Sequence, residues 1–373
     1  MNEEYHQSAL LPAEGEPVVV RVNRNRSEIS RTSMQLSLAQ LQRLVDEFDL
    51  GRIIQMDTPT DTQCNTTEPF KTGRGTFLLR ARHGDEFIER VEYIHKMMDV
   101  LRKKGFLLPE VMRTPEGAGC IVWGERIVEI HRFIPHDNEI HRGWDQMNAA
   151  AVALAKLHQI LDQEKPSNVL PVSPELRNDI GPMQIYNILN RSDASLQEAV
   201  RSIPNADKAL EVVREAIHAV VPIIEQYERH VGSLPWLIVH GDYHFWNILY
   251  KGNEIVGVVD YDFLQERERL FDIAYALQSV ITYLGATHTQ DLYDYSELNW
   301  KKINQWVNLY DQHTHLPLTR QERAWLPSEL LRIFLINICT ASMGPTPVED
   351  ILQQVFELRL YRWIYQQTDL FTG

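Results

Sequence analysis

Apolar residues recur every three to four positions in "SLAQLQRLVDEF", so the first regular element is a helix, N-capped by Ser37 and closing near "DLG". Between about residues 50 and 135 the period falls towards two. The runs "GTFLLRAR", "GCIVWG" and "ERIVEIHRFI" are short, rich in β-branched and aromatic residues, and read as strands, the last two meeting around Gly124 as a hairpin. "DEFIERVEYIHKMMDVLRKKG" interrupts them as a helix. Its Phe87, Val91, Ile94, Met98 and Leu101 fall three to four apart, and Gly105 stops it.

After Pro135 helices dominate, with "WDQMNAAAVALAKLHQIL" and "NADKALEVVREAIHAVVPIIEQYERH" the clearest. A β-island lies inside this helical half. "WLIVHGD" and "WNILYKGNEIVGVVDYDF" alternate as strands, with a turn at Gly252-Asn253, and "LFDIAYALQSVITYL" opens the next helix. Residues 1–34, with "PVVVRV" and the polar "NRNRSEISRTS", form an N-terminal extension, either a disordered arm or an added strand. The expected architecture is α+β: a small β-rich N-lobe over 35–135 and a larger, mainly helical C-lobe over 136–373.

Charge narrows the partners. The 37 basic and 51 acidic side chains leave a formal charge of −14, which argues against nucleic acid and suits a cationic ligand. Cys64, Cys120 and Cys339 lie far apart, with neither a metal-binding spacing nor a disulfide framework, as expected of a cytoplasmic protein. The acidic start lacks the order of a signal peptide, and no run approaches the roughly 20 apolar residues that span a bilayer, so no membrane association is expected.

The β-island carries the candidate chemistry. "VHGDYHFWNILY" sets His240, Asp242 and Asn247 among apolar residues, and "VVDYDF" adds Asp260 and Asp262. Buried polar groups are costly unless something satisfies them. Phosphoryl transfer from ATP would use all of these groups. It needs a carboxylate to orient and deprotonate the attacking hydroxyl, and oxygen ligands for Mg²⁺. Asp242 and Asn247 stand five residues apart, the spacing of the kinase pattern H-R-D-L-x-x-x-N, with Gly241 in place of the arginine. Asp260 ends an apolar run, as the metal-binding aspartate of D-F-G does.

These two stretches, continued by "LQERERLFDIAYAL", resemble the aminoglycoside phosphotransferase and choline kinase family, in particular its branch of type II homoserine kinases and spore-coat kinase-like proteins. "LAKLHQIL", "FLLR", "KKGFLLPEV" and "NLYDQHTHLPLTRQERAWLP" are also similar to family segments, so the likeness covers roughly 37–365, with its specificity in 239–277. It implies a bilobal protein kinase-like fold, an N-lobe that binds nucleotide and a C-lobe with the catalytic loop and acceptor site. It further implies Asp242 as catalytic base, His240 as a hydrogen-bonding strut beneath the loop, Asn247 and Asp260 as magnesium ligands, and Asp262 as auxiliary acid. Asp272, in "LFDIAY", would tie the loop to the following helix.

On the nucleotide side the pattern departs. "FLLR" places Arg80 where the family's phosphate-binding base stands, with Arg82 an alternative of the same strand parity. Its acidic partner would come from the following helix, from Glu92 in preference to Glu89. No G-x-G-x-x-G loop precedes the strand. "DTPTDTQCNTTEPF" stands there instead, with Asn65 the preferred phosphate contact and Thr62 and Thr66 as alternatives. Adenine would meet the backbone from Ile130 to Arg132.

The acceptor that the resemblance implies is a small-molecule hydroxyl. The aromatic and acidic "GATHTQDLYDYSELNWKKINQW" suggests a pocket for an amine, although an ordinary amphipathic helix accounts for it as well. The competing reading is a catalytically inactive kinase-like scaffold, favoured by Arg80 and the glycine-poor loop and opposed by the retained Asp242, Asn247 and Asp260. A protein kinase is disfavoured because "LQERER" leaves only a short link from Asp260 to the next helix.

Overall fold

A computed structural model describes residues 36–57, 60–61, 65–82, 88–124, 126–137, 143–164, 221–285 and 300–342. The whole extension, and much of the helix expected over 205–230 and of the aromatic segment before residue 300, lie outside them. The chain divides into two compact units, Met1–Pro135 and His136–Gly373.

In the first unit helix α1 (Leu38–Glu47) begins as the sequence predicts: Ser37 caps it, and Gln40 returns the bond in a capping box. Strands β1 (Ile53–Met56), β2 (Thr60–Asp61), β3 (Asn65–Thr72), β4 (Gly75–Arg82), β5 (Cys120–Trp123) and β6 (Arg126–Arg132) form one antiparallel sheet in the order β1-β3-β4-β6-β5, with β2 also on β3. Leu41, Leu44, Val45 and Phe48, on α1 and at its end, bury one sheet face, made of Phe70, Phe77, Leu79, Val128 and Ile130. Alternation turns the neighbouring positions Arg80, Arg82 and Glu129 to the opposite face. Helix α2 (Ile88–Lys103) buries Val91, Ile94, Met98 and Leu101 as its spacing predicts, and Gly105 ends it at φ +73°.

In the second unit α3 (Trp144–Leu161) precedes the β-island. There β7 (Trp236–Val239) pairs with β10 (Gln265–Glu268), and β8 (Ile248–Lys251) with β9 (Glu254–Val258). The expected turn at Gly252-Asn253 joins β8 to β9, with Gly252 at φ +61°. Helices α4 (Leu270–Gly285), α5 (Trp300–Gln312) and α6 (Arg320–Ser342) follow. The stretch expected to be a bare link, "LQERER", is largely the strand β10. Its polar sequence hides a backbone fully paired with β7, while Arg267 and Glu268 are buried together and with Arg332 of α6.

Candidate active site

β7 delivers the chain to His240, whose ring is wholly buried. Its Nε2 donates to the Val259 carbonyl at 3.0 Å, and its Nδ1 accepts the Asp242 N–H at 3.2 Å. Burial pushes this imidazole below the usual histidine range, against the pull of Asp272 and Asp242, so it acts as a neutral strut. Gly241 sits at φ +81°, and a Cβ there would lie 2.2 Å from the Phe263 carbonyl oxygen. No arginine fits in that space, which accounts for His-Gly-Asp.

Asp272, buried in the first turn of α4, accepts the His240 N–H at 2.7 Å on Oδ2 and the Gly241 N–H at 2.9 Å on Oδ1. His158 of α3 stands 3.2 Å from the same Oδ2, and its other nitrogen meets the Tyr310 hydroxyl at 2.8 Å. Burial alone would raise the Asp272 carboxyl, but these donors together hold it below the usual aspartate value.

Downstream, Phe245–Asn247 form a single 3-10 turn. Asn247 donates from Nδ2 to the Asp242 carbonyl at 2.9 Å and to Asp242 Oδ2 at 2.8 Å. Its amide oxygen therefore points away from Asp242. The Asn247 carbonyl accepts the Val259 N–H at 2.9 Å, which brings Asp260 within one residue of this bond. Asp260 takes a left-handed φ of +65°, a conformation that aspartate tolerates better than most residues. It is half-buried, while Asp262 is buried. Asn247, Asp260 and Asp262 offer amide and carboxylate oxygens only, a hard donor set that fits Mg²⁺.

Sequence reasoning passed over His244. Its Nδ1 accepts the Trp246 N–H at 3.1 Å, and its Nε2 lies 3.3 Å from both Asp242 Oδ2 and Asn247 Nδ2. The motif "HGDYH" shows a second histidine two positions past the aspartate, which was the available signal.

In the first unit Arg80 and Arg82 share one partner. Both guanidinium groups stand 3.0 Å from Glu129 Oε1, and His95 Nε2 lies 2.5 Å from Oε2. Glu129 is fully buried; burial would raise its carboxyl, but Arg82, His131 and Arg80 hold it well below the usual range. His95, Glu129 and His131 also have the types and proximity of metal ligands. Yet Glu129 already faces two guanidinium charges, which would repel a cation, and His95 engages its other oxygen. We read this cluster as an ion-pair network.

Two expectations are corrected here. Glu92 is exposed, as is Glu89, and the carboxylate on Arg80 comes from the neighbouring strand, where Glu129 stands directly opposite it. The helix turns His95 inward instead. The backbone from Ile130 to Arg132 is also committed inside the sheet: the Ile130 carbonyl accepts the Met112 N–H, and the Arg132 N–H donates to the Glu110 carbonyl, each at 2.8 Å. A base read by backbone must lie beyond the end of β6. Asn65 and Thr66 lie in β3, opposite Arg82 and Ala81, and Thr66 is buried; Thr62 is outside the described residues.

Residues 65–306 match the APH phosphotransferase enzyme family, and they make up well over half of the chain. The chain belongs to this family. It is a phosphotransferase. The fold is kinase-like, as solved structures bear out. A microcompartment-associated aminopropanol kinase matches at 15% identity and a TM-score of 0.61, over 89% of this chain and 98% of that one. An aminoglycoside phosphotransferase from Alicyclobacillus acidocaldarius matches at 15% and 0.58, over 91% and 99%. The amicoumacin kinase hAmiN, solved with AMP-PNP and Ca²⁺, matches at 13% and 0.56, over 82% and 87%. No curated protein matches by sequence. None of these relatives favours the inactive scaffold. Among the described residues, no helix is long and apolar enough to cross a membrane.

Proposed function

We infer that this phosphotransferase is an ATP- and Mg²⁺-dependent kinase of a small metabolite or antibiotic bearing a hydroxyl and an amine, either an amino alcohol such as homoserine or an aminosugar. The bond from Asn247 Nδ2 to Asp242 Oδ2 carries this reading. It fixes one carboxylate oxygen and leaves Oδ1 of Asp242, which accepts no bond among the described residues, to take the proton of the acceptor hydroxyl. Asn247, Asp260 and Asp262 would hold Mg²⁺, which neutralises phosphate charge when bound. Arg80 and Arg82, gathered on Glu129, would engage the nucleotide phosphates, with Asn65 beside them in sequence register.

On the acceptor side, Trp246 is 65% exposed while its neighbour Phe245 is buried. An indole held in the open one residue before Asn247 suits an amine through cation–π contact, and the charge of −14 works in the same sense. The finer likeness to the homoserine kinase branch rests on 308–327. A cytoplasmic location agrees with the three separated cysteines, and the partner is a small molecule.

A panel of amino alcohols and aminosugars with ADP release as the readout tests this, run beside Asp242→Ala. At least one acceptor should be turned over, and the substitution should abolish that turnover. Transfer that survives in Asp242→Ala would overturn the assignment of the base.

A further inference from the structure

His244 stands beside the Asp242 carboxylate as well as in the turn that follows it. Its two ring nitrogens have separate partners. Nδ1 accepts the Trp246 N–H at 3.1 Å and must present its lone pair there. In the neutral ring the proton therefore sits on Nε2, which stands 3.3 Å from Asp242 Oδ2. The third neighbour, Asn247 Nδ2, stands 3.3 Å from the same Nε2; with the ring proton on Nε2 both groups are donors, and both face the same carboxylate oxygen. No other described residue engages the Asp242 carboxylate, and Oδ1 is left to the reaction. The imidazole is itself held: it is three-quarters buried and lies against Tyr275 of α4, ring centres 6.0 Å apart.

We propose that His244 is a positioning residue for phosphoryl transfer. Its Nε2–H and Asn247 Nδ2–H clamp Oδ2 of Asp242 from two sides, so the carboxylate cannot rotate and Oδ1 stays aimed at the acceptor hydroxyl. The proposal rests on the kinase reading above. It requires Asn247 to serve the base through nitrogen while its oxygen serves the metal, and it assigns His244 the second bond that makes the carboxylate orientation unique.

The two ring nitrogens can be removed separately. His244→Asn keeps an oxygen near the Nδ1 position to accept the Trp246 N–H but loses the donor to Asp242. His244→Gln reaches the Nε2 position with an amide N–H but gives up the turn. If the bond to Asp242 matters, Asn lowers kcat roughly tenfold to a hundredfold, the value of one hydrogen bond to a charged group, with KM for the acceptor nearly unchanged. Gln then restores most of the rate. If the ring only caps the turn, Asn is fully active and Gln is impaired, and the proposal is overturned. ¹⁵N NMR at pH 8, with the His244 signals assigned by their loss in the Gln variant, should show Nε2 protonated and Nδ1 bare; a protonated Nδ1 overturns it too. A wild-type protein that transfers no phosphate sinks the kinase reading, and this proposal with it. Transfer that continues unimpaired in His244→Asn sinks only the clamp.

Discussion

His158 and Asp272 meet at 3.2 Å across 114 residues of sequence, and through this contact α3 is joined to the carboxylate of α4 that binds the His240 and Gly241 backbone. Asp272 serves three donors at once: His158 and the N–H groups of His240 and Gly241. In Asp272→Asn the amide can offer a carbonyl to one backbone donor but turns an NH₂ towards another. The cost expected is about 3 kcal/mol, that of orphaning buried groups around a lost charge. Because the Asp272 carboxyl titrates below its ordinary value of 3.8, its stabilisation is complete above that pH and is lost as acid protonates the native state. Chemical denaturation at several pH values should therefore show the gap between wild type and Asp272→Asn narrowing below about pH 4.

Glu129 bonds both Arg80 and Arg82, and Glu129→Gln would turn a neutral amide towards two buried guanidinium groups. Breaking a buried pair from one side costs roughly 3–5 kcal/mol. The first unit should lose thermal stability, and any shift in melting temperature produced by Mg·ATP should shrink with it. A retained nucleotide shift would show that the two arginines do not serve the phosphates.

Gly241→Ala should be the most damaging one-carbon change in the loop. The added methyl would fall 2.2 Å from the Phe263 carbonyl oxygen at a backbone φ of +81°, so both contact and conformation oppose it. A loss of at least about 2 kcal/mol and a sharp drop in kcat are expected. Gly252→Ala, at a similar φ of +61° but with open space around it, should cost only about 1 kcal/mol.

Glu68 is buried on β3 beside Leu79, and its Oε1 meets no hydrogen-bond partner among the described residues. Burial pushes its carboxyl up to about 7 from an ordinary 4.5. A raised carboxyl costs nothing below pH 4.5, costs progressively more as pH rises through that window, and carries its full penalty above about 7. Glu68→Gln should accordingly raise the melting temperature at pH 8, by a few kcal/mol of stability at most, and leave it nearly unchanged at pH 4.5. Equal effects at both values would show that the carboxylate is not desolvated.

The helices and hairpins were legible because local signals decide them. The spacing of Val91, Ile94, Met98 and Leu101 survives as the buried stripe of α2, and Gly124 and Gly252 mark the two hairpin turns with positive φ. The pairing of Asp242 with Asn247 could be read because the two stand five positions apart and the 3-10 turn closes that interval. Glu129 could not be found in the same way. Its pairing with Arg80 depends on the register of β4 against β6, a cross-strand fact that no local pattern contains. The one hint was an acid amid the apolar positions of "IVEIH". β10 was hidden for a similar reason. Gln265–Glu268 reads as a solvated linker, and Arg267 is tolerated inside with its guanidinium stacked 3.5 Å over Phe271 and bonded to Glu268.

The β8–β9 hairpin is fastened far from the loop it serves. Gly252 at its tip donates to Asp137, and its carbonyl accepts from Gln146 of α3. Asn247 and Asp260 flank the two open ends of this ribbon, so the distance across the proposed metal-ligand set is gauged by a turn that touches neither. Lengthening the tip by one residue would slide one rail past the other and invert its side chains, disarming the enzyme without altering any group that takes part in the reaction.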